Sequence, residues 1–249
     1  MKSDDDTFEI TSRNPSLRTP LPLWAAWGPL FLLIITFPFS YTIDLSASRL
    51  FFDSKQFSFS PPSWCSSVYV WGLVPGQLLF ALSSLVSIMG LFSKIIIKSR
   101  LWPSSIYLFF VLSLGSGLIA HGIFKEHFVR PRPKQIQEFG GKYSYSEPLI
   151  PYSGSTIDLA DRLRSMPSGH ATMGFYFLSF WFLGRRYSSK LVLRIGFIFG
   201  GCLGVLLTIS RVLEGGHFIT DGLAAFAIMW YTALILDLIW RWHNGTESR

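Results

Sequence analysis

Charge is scarce in this chain. Only 15% of its 249 residues are Asp, Glu, Lys or Arg, against roughly 25% in an ordinary soluble domain. Cysteine is scarcer: Cys65 and Cys202 stand in neither a CxxC nor a metal-ligand spacing, and Cys202 falls in an apolar stretch. Both read as packing residues, and a disulfide scaffold is excluded. There is no glycine period, internal repeat or low-complexity tract, so a collagen-like chain is excluded too. Low charge with abundant aromatics excludes a disordered chain. What is present is apolar: 49% hydrophobic residues, 23 Phe, nine Trp and a mean hydropathy of +0.37. A water-soluble protein of this length has nowhere to bury so much. The composition describes a polytopic membrane protein, an all-α bundle.

A membrane crossing needs about 20 apolar residues as helix. Six segments qualify, over residues 21–43, 68–93, 102–124, 168–184, 191–210 and 218–241. The fourth is the shortest and needs its N-terminal end among the lipid headgroups. The first 20 residues are polar and carry Asp4, Asp5, Asp6 and Glu9. They lack the basic start and small-residue cleavage site of a signal peptide, so the first segment is expected to stay as an anchor. The expected organisation is an inner tail over 1–20, a six-span domain over 21–242 with an outer loop at 134–166, and an inner tail over 243–249. With both termini inside, twelve Lys and Arg fall on the inner side and ten on the outer. This slight bias follows the positive-inside rule. The formal net charge of +7 points to an anionic membrane surface or substrate before nucleic acid, because the chain sits in lipid.

Three clusters break the apolar pattern, all at span ends on the outer side. The first is KEHFVRPRP, from Lys125 to Pro133. Lys125 ends the third span, Arg132 follows seven residues later, and the prolines at 131 and 133 stop the helix. The plainer account is a set of basic anchors at headgroup level. The second is PSGH, Pro167 to His170. Proline suits a first helical turn, and Ser168 and Gly169 leave N–H groups open at the positive end of the helix dipole, where anions bind. The plainer account is an N-cap beside a histidine. The third is SRVLEGGHFITD, Ser210 to Asp221. His217 and Asp221 are four apart and share a helix face. The carboxylate can accept one imidazole N–H and leave the other nitrogen to attack. Arg211 offers a planar fork for a phosphate. An ion pair at a tight hairpin is the plainer account here, but charge at a span end is costly and argues for function.

Lys-x6-Arg-Pro, Pro-Ser-Gly-His and Ser-Arg-x5-His-x3-Asp, in that order and on one face, resemble the three-part signature of the type 2 phosphatidic acid phosphatase superfamily. Each position is filled: Lys125, Arg132, Pro133; Pro167, Ser168, Gly169, His170; Ser210, Arg211, His217, Asp221. The resemblance covers residues from about 105 to 240 and implies a six-span enzyme. It implies that His217 attacks phosphorus to form a phosphohistidine, that Asp221 orients it, and that His170 protonates the leaving oxygen. It implies that Lys125, Arg132, Arg211, Ser168 and Gly169 hold the phosphoryl oxygens. No cofactor or metal is called for, since these cations supply the electrostatic clamp.

His121, in the third span, and His127 read as packed or interfacial, because there is no HExxH or acidic cluster. His243 and the sequon at Asn244 fall on the inner side, and Glu126 and Glu214 receive no role. The outer loop, with Lys142, Tyr143, Tyr145, Tyr152, Arg162 and Arg164, can cover the site. Gly-Gly-His-Phe around the nucleophile, together with IDLSASRLFFD from Ile43 to Asp53, is similar to bacterial lipid A phosphatases. The expected partner is a membrane lipid phosphate, within the inner membrane and with the site on its periplasmic side. Lipid A, phosphatidate, phosphatidylglycerophosphate and undecaprenyl diphosphate stay open. So does a phosphotransferase that passes the group to an acceptor lipid or alcohol. A haloperoxidase shares the constellation but is soluble, and a transporter leaves the His217–Asp221 spacing without a purpose.

Overall fold

The computed structural model describes residues 20–54, 58–150, 152 and 163–246, without the side chains of 244–246. Most of the expected N-terminal tail, Lys55 and the loop residue Arg162 lie outside the described residues. Among the described residues five helices are long and apolar enough to cross a membrane: α1 (Leu23–Arg49), α2 (Trp64–Phe92), α3 (Leu101–His127), α5 (Lys190–Leu213) and α6 (Ile219–Thr246, apolar as far as His243). They coincide with five of the six expected spans, and each runs past at least one end of its span. The expected fourth span is a continuous helical run, α4, made of Gly169–Phe175, a 3-10 turn at Tyr176–Leu178, and Ser179–Arg186. It is not among the five. His170 opens it and Arg185 and Arg186 close it, so polar ends dilute a short apolar middle. A hairpin of β1 (Phe52–Asp53) and β2 (Ser58–Phe59) joins α1 to α2.

α6 sits at the centre. Ala224, Ala225, Ala227, Met229, Trp230 and Ala233 are all buried on it. Alanine there lets neighbouring helices come close, which is how helices pack when lipid leaves little hydrophobic drive between them. Trp230 stacks with Trp181 of α4 at 5.3 Å and with Trp24 of α1 at 5.9 Å. α5 meets α4 through Gly196, Gly200 and Gly204, one helical turn apart. A Cβ at Gly174 of α4 would lie 2.5 Å from the backbone N of Gly204. The two backbones touch, and a side chain at either glycine would part them. Cys65 is buried, as expected of a packing residue, but Cys202 is exposed on the outer face of α5; its apolar neighbours in sequence are residues turned toward lipid.

The end of α3, the start of α4, the end of α5 and the start of α6 meet at one end of the bundle. The same end receives the three sequence clusters. At the opposite end, buried Arg186 pairs with Asp237 at 3.0 Å, and Arg241 reaches the other oxygen of Asp237 at 2.7 Å.

Candidate functional site

Six of the eight expected site residues line one cavity of about 380 Å³: Lys125, Arg132, Gly169, His170, Arg211 and His217. Each arrives there for a local reason. α3 is π-helical from Ser113 to Phe124, a wide winding that is rare outside functional sites, and Lys125 follows directly. Arg132 sits between Pro131 and Pro133, past the helix stop, with its N–H held by Gln135 Oε1 at 2.9 Å. Ser168 caps α4 by accepting from the Ala171 N–H, and its own N–H donates to the Asp221 carbonyl at 3.1 Å. Ser168 is therefore buried behind the cavity wall. Gly169 forms the wall itself: a Cβ there would lie 2.7 Å from His121 Nε2 and 3.3 Å from Lys125 Nζ.

Between α5 and α6 the chain reverses at Gly215, whose φ of +59° is left-handed and free of steric cost only for glycine. A Cβ at Gly216 would lie 2.2 Å from the Arg211 guanidinium. The N–H groups of Gly216 and His217 both donate to the Arg211 carbonyl, at 2.9 and 3.2 Å. The hairpin thus fixes His217 relative to Arg211. Arg211 is also paired with Glu214.

His217 is 3% exposed, and its Nδ1 lies 3.4 Å from Asp221 Oδ2. That contact is long for a hydrogen bond. It makes Nδ1 the donor and leaves the Nε2 lone pair free. Burial lowers the His217 pKa from 6.5 to about 4, with Asp221 pushing the other way. The ring is neutral at ordinary pH. Asp221 is fully buried; its Oδ2 also accepts from Ser165 Oγ at 2.6 Å and from the Phe218 N–H at 2.9 Å.

Arg130, Asp44, Tyr69 and His121 stand at the site without having been given a role by the sequence. Arg130, inside the first cluster, is 1% exposed and donates to Asp221 Oδ1 at 2.5 Å and to Asp44 Oδ2 at 2.8 Å. Burial works against its charge, and the two carboxylates outweigh that and raise its pKa further. Tyr69 of α2 stacks on His170 with ring centres 4.5 Å apart, and the Arg211 guanidinium lies 4.8 Å above the same ring. His121 lines the cavity, its Nδ1 2.7 Å from the Ser116 carbonyl, where the sequence suggested a packed or interfacial ring. Its place four residues before Lys125 was the available signal. His127, by contrast, is exposed and bonds only within its own helix, to Ile123 O at 2.8 Å. The loop residue Tyr145 serves Arg130 and Asp44, and Arg164 pairs with Glu126 at 3.0 Å on the surface.

Around the cavity, Arg132 Nε, His170 Nε2 and Arg211 Nε are buried with no hydrogen-bond partner among the described residues. Buried polar groups left unpaired are costly. Two of them belong to the cations Arg132 and Arg211, and with Lys125 beside them they make a site shaped for an oxyanion, whose lone pairs accept from several N–H groups at once. Among the described residues no three His, Cys, Asp or Glu gather as a metal-ligand set.

Comparison with known proteins falls on the same part of the chain. Residues 106–246 match the PAP2 superfamily. A stretch of 111 residues is 34% identical to a lipid A 4'-phosphatase of Francisella tularensis subsp. novicida (strain U112). It covers 44% of this chain and 46% of that protein, so the match spans about half the relative's length. No solved structure matches.

Proposed function

Because the chain belongs to the PAP2 superfamily, whose match takes in α3 to α6, we propose that it is a lipid phosphate phosphatase that works through a phosphohistidine. The observation that carries the reading is the convergence on one cavity of a neutral, carboxylate-backed His217, a second imidazole, and Lys125, Arg132 and Arg211, the two arginines with unfilled Nε–H groups. His217 Nε2 attacks phosphorus as the P–O bond to the lipid breaks. His170 gives its proton to the departing oxygen. It then takes one from the water that hydrolyses the phosphohistidine to orthophosphate. Lys125, Arg132 and Arg211 hold the phosphoryl oxygens where negative charge grows, the kind of fixed electrostatics that contributes most to such reactions. Asp221 holds the tautomer and balances the imidazolium.

The substrate is a phosphate monoester or diphosphate of a membrane lipid, with lipid A, a phospholipid or a polyprenyl phosphate as candidates. The likeness to a lipid A 4'-phosphatase supports the first. A lipid suits a cavity at the bundle end whose wall includes Leu73 and Met173, since the apolar part can stay in the bilayer. α4, buried at the centre, is the sixth crossing. Both termini then lie in the cytoplasm, and the site opens at the outer face of a bacterial inner membrane. A phosphotransferase would use the same phosphohistidine with an alcohol in place of water.

The deciding assay uses purified protein on a panel of lipid A, phospholipid and polyprenyl phosphates. Orthophosphate should appear in proportion to substrate consumed; phosphate recovered on an acceptor lipid would favour transfer. Activity should survive EDTA and be inhibited by vanadate, which adopts the five-coordinate geometry of phosphorus under attack. Loss in EDTA, restored by magnesium or zinc, would sink the mechanism.

The His217 pKa sets the pH dependence. The attacking ring must be unprotonated, and its proton leaves at about 4 rather than 6.5. The acidic limb of kcat/KM assigned to His217 should therefore lie near pH 4, with activity lost as pH falls through it. A substrate that does not ionise in this range makes the measurement clean. A limb centred at 6.5 would mean that the ring is solvated in the working enzyme.

Orientation has a separate test. Ser144 in the loop and Ser188 between α4 and α5 are both exposed. Single cysteines at these positions, with Cys65 and Cys202 replaced, should label differently in intact cells with an impermeant thiol reagent. Ser144 should label and Ser188 should not; the reverse pattern places the cavity on the cytoplasmic side.

A further inference from the structure

Behind His217 lies a charged network whose far end is the first helix. Arg130 is held on every donor: Nε gives to the Ser146 carbonyl at 2.9 Å, one terminal nitrogen to Thr220 Oγ1 at 2.9 Å and Asp221 Oδ1 at 2.5 Å, and the other to Asp44 Oδ2 at 2.8 Å and Tyr145 OH at 2.9 Å. A guanidinium has five N–H donors, and all five are used. Asp44 is equally occupied. Its Oδ1 accepts from the Thr220 N–H at 3.0 Å, and its Oδ2 accepts from Thr220 Oγ1 at 2.6 Å and Tyr145 OH at 2.9 Å. The rings of Phe218 and Tyr145 lie 4.5 and 5.3 Å from the guanidinium carbon.

We infer that Asp44 and Arg130 are positioning residues for the phosphoryl transfer, acting through Asp221 to aim His217 and to keep one uncompensated negative charge behind it. The inference rests on the assignment of His217 as nucleophile. Two carboxylates and one guanidinium sum to a single negative charge. With both carboxylates ionised and His217 neutral, no group within the network itself balances that charge; when Nε2 bonds to phosphorus the ring becomes cationic and balances it. The arrangement therefore stabilises the attacked state more than the resting one, which is what raises a rate. Geometry follows the same path. Asp221 Oδ1 is fixed by the Arg130 fork, and Asp44 fixes the fork while binding the second N–H of α6. Asp44 belongs to α1, and the superfamily match begins only at residue 106. A helix that reads as a membrane anchor thus supplies part of the catalytic support.

The test compares Asp44→Asn and Arg130→Met with the parent protein and with His217→Ala, in single turnovers of p-nitrophenyl phosphate with enzyme in saturating excess. The plateau rate constant does not depend on how much protein has misfolded, so it separates aim from folding. Asp44→Asn keeps size but removes the charge and one accepting oxygen, and remains informative if Arg130→Met fails to fold. A misaimed reacting group can cost on the order of 10²-fold. Both variants should show a plateau lowered by about that factor, with KM in steady state changed less than about threefold. A parent-like plateau with a lowered melting temperature would overturn the inference and leave the network a structural staple. If His217→Ala also turns over at the parent rate, the nucleophile itself is wrong, and that result is distinct because it does not depend on Asp44 or Arg130.

Discussion

His217→Ala is expected to abolish turnover on every substrate, by on the order of 10⁴-fold or more, the scale seen when a nucleophile is removed. The loss should fall on the chemical step. Lys125, Arg132 and Arg211 remain to bind phosphate, so substrate affinity should change only a few-fold. Nor should the fold collapse. The imidazole has one hydrogen bond, to Asp221, and Asp221 keeps Ser165, Phe218 and Arg130 as donors without it. Intact-mass measurement after acid-free quenching should find a phosphorylated species in the parent and none in the variant. A variant that still forms it would move the nucleophile elsewhere, with His121 the next imidazole on the cavity wall.

His170→Ala is expected to behave differently, and its effect should depend on the leaving group. A positioned general acid contributes ~10²–10⁴-fold, and that benefit shrinks when the departing oxygen is stable as an anion. A lipid alkoxide needs the proton; p-nitrophenolate hardly does. Hydrolysis of a lipid phosphate should fall by ~10²-fold or more, and hydrolysis of p-nitrophenyl phosphate far less. The phosphoenzyme should still form from the activated substrate. Equal losses on both would mean that His170 serves to bind phosphate, as its unpartnered Nε2 beside Arg211 also permits. The stacking of Tyr69 on this ring gives it a fixed plane, which proton delivery to one atom requires.

The three motifs were legible because each is local: its residues are within a turn or two of one another, and charge against an apolar background is conspicuous. Arg130 lay within one of them and was counted only as basic. Its meaning comes from Asp44, 86 positions away, and no spacing rule reaches that far. Tyr69 was one aromatic among many in an apolar helix, and its value lies in a ring it meets only in the folded chain. The spans were placed well where lipid faces most of the helix. α4 was the difficult one because it is enclosed by protein. Its terminal arginines are tolerated where Asp237 neutralises Arg186, and hydropathy averages cannot register such a pairing.

The central helix is pegged at both ends. Asp221 in its first turn is tied to Arg130, and Asp237 near its far end is tied to Arg186 and Arg241. Sixteen residues of helix separate the two carboxylates, about 24 Å at 1.5 Å per residue. Such a rod cannot slide like a piston or turn about its axis without breaking a buried ion pair at one end. α2 makes no ion pair among the described residues, and its Tyr69, Leu73 and Gln77 form one wall of the cavity. A bulky guest would have to be accommodated on the α2 side of the cavity, because the α6 side is pinned.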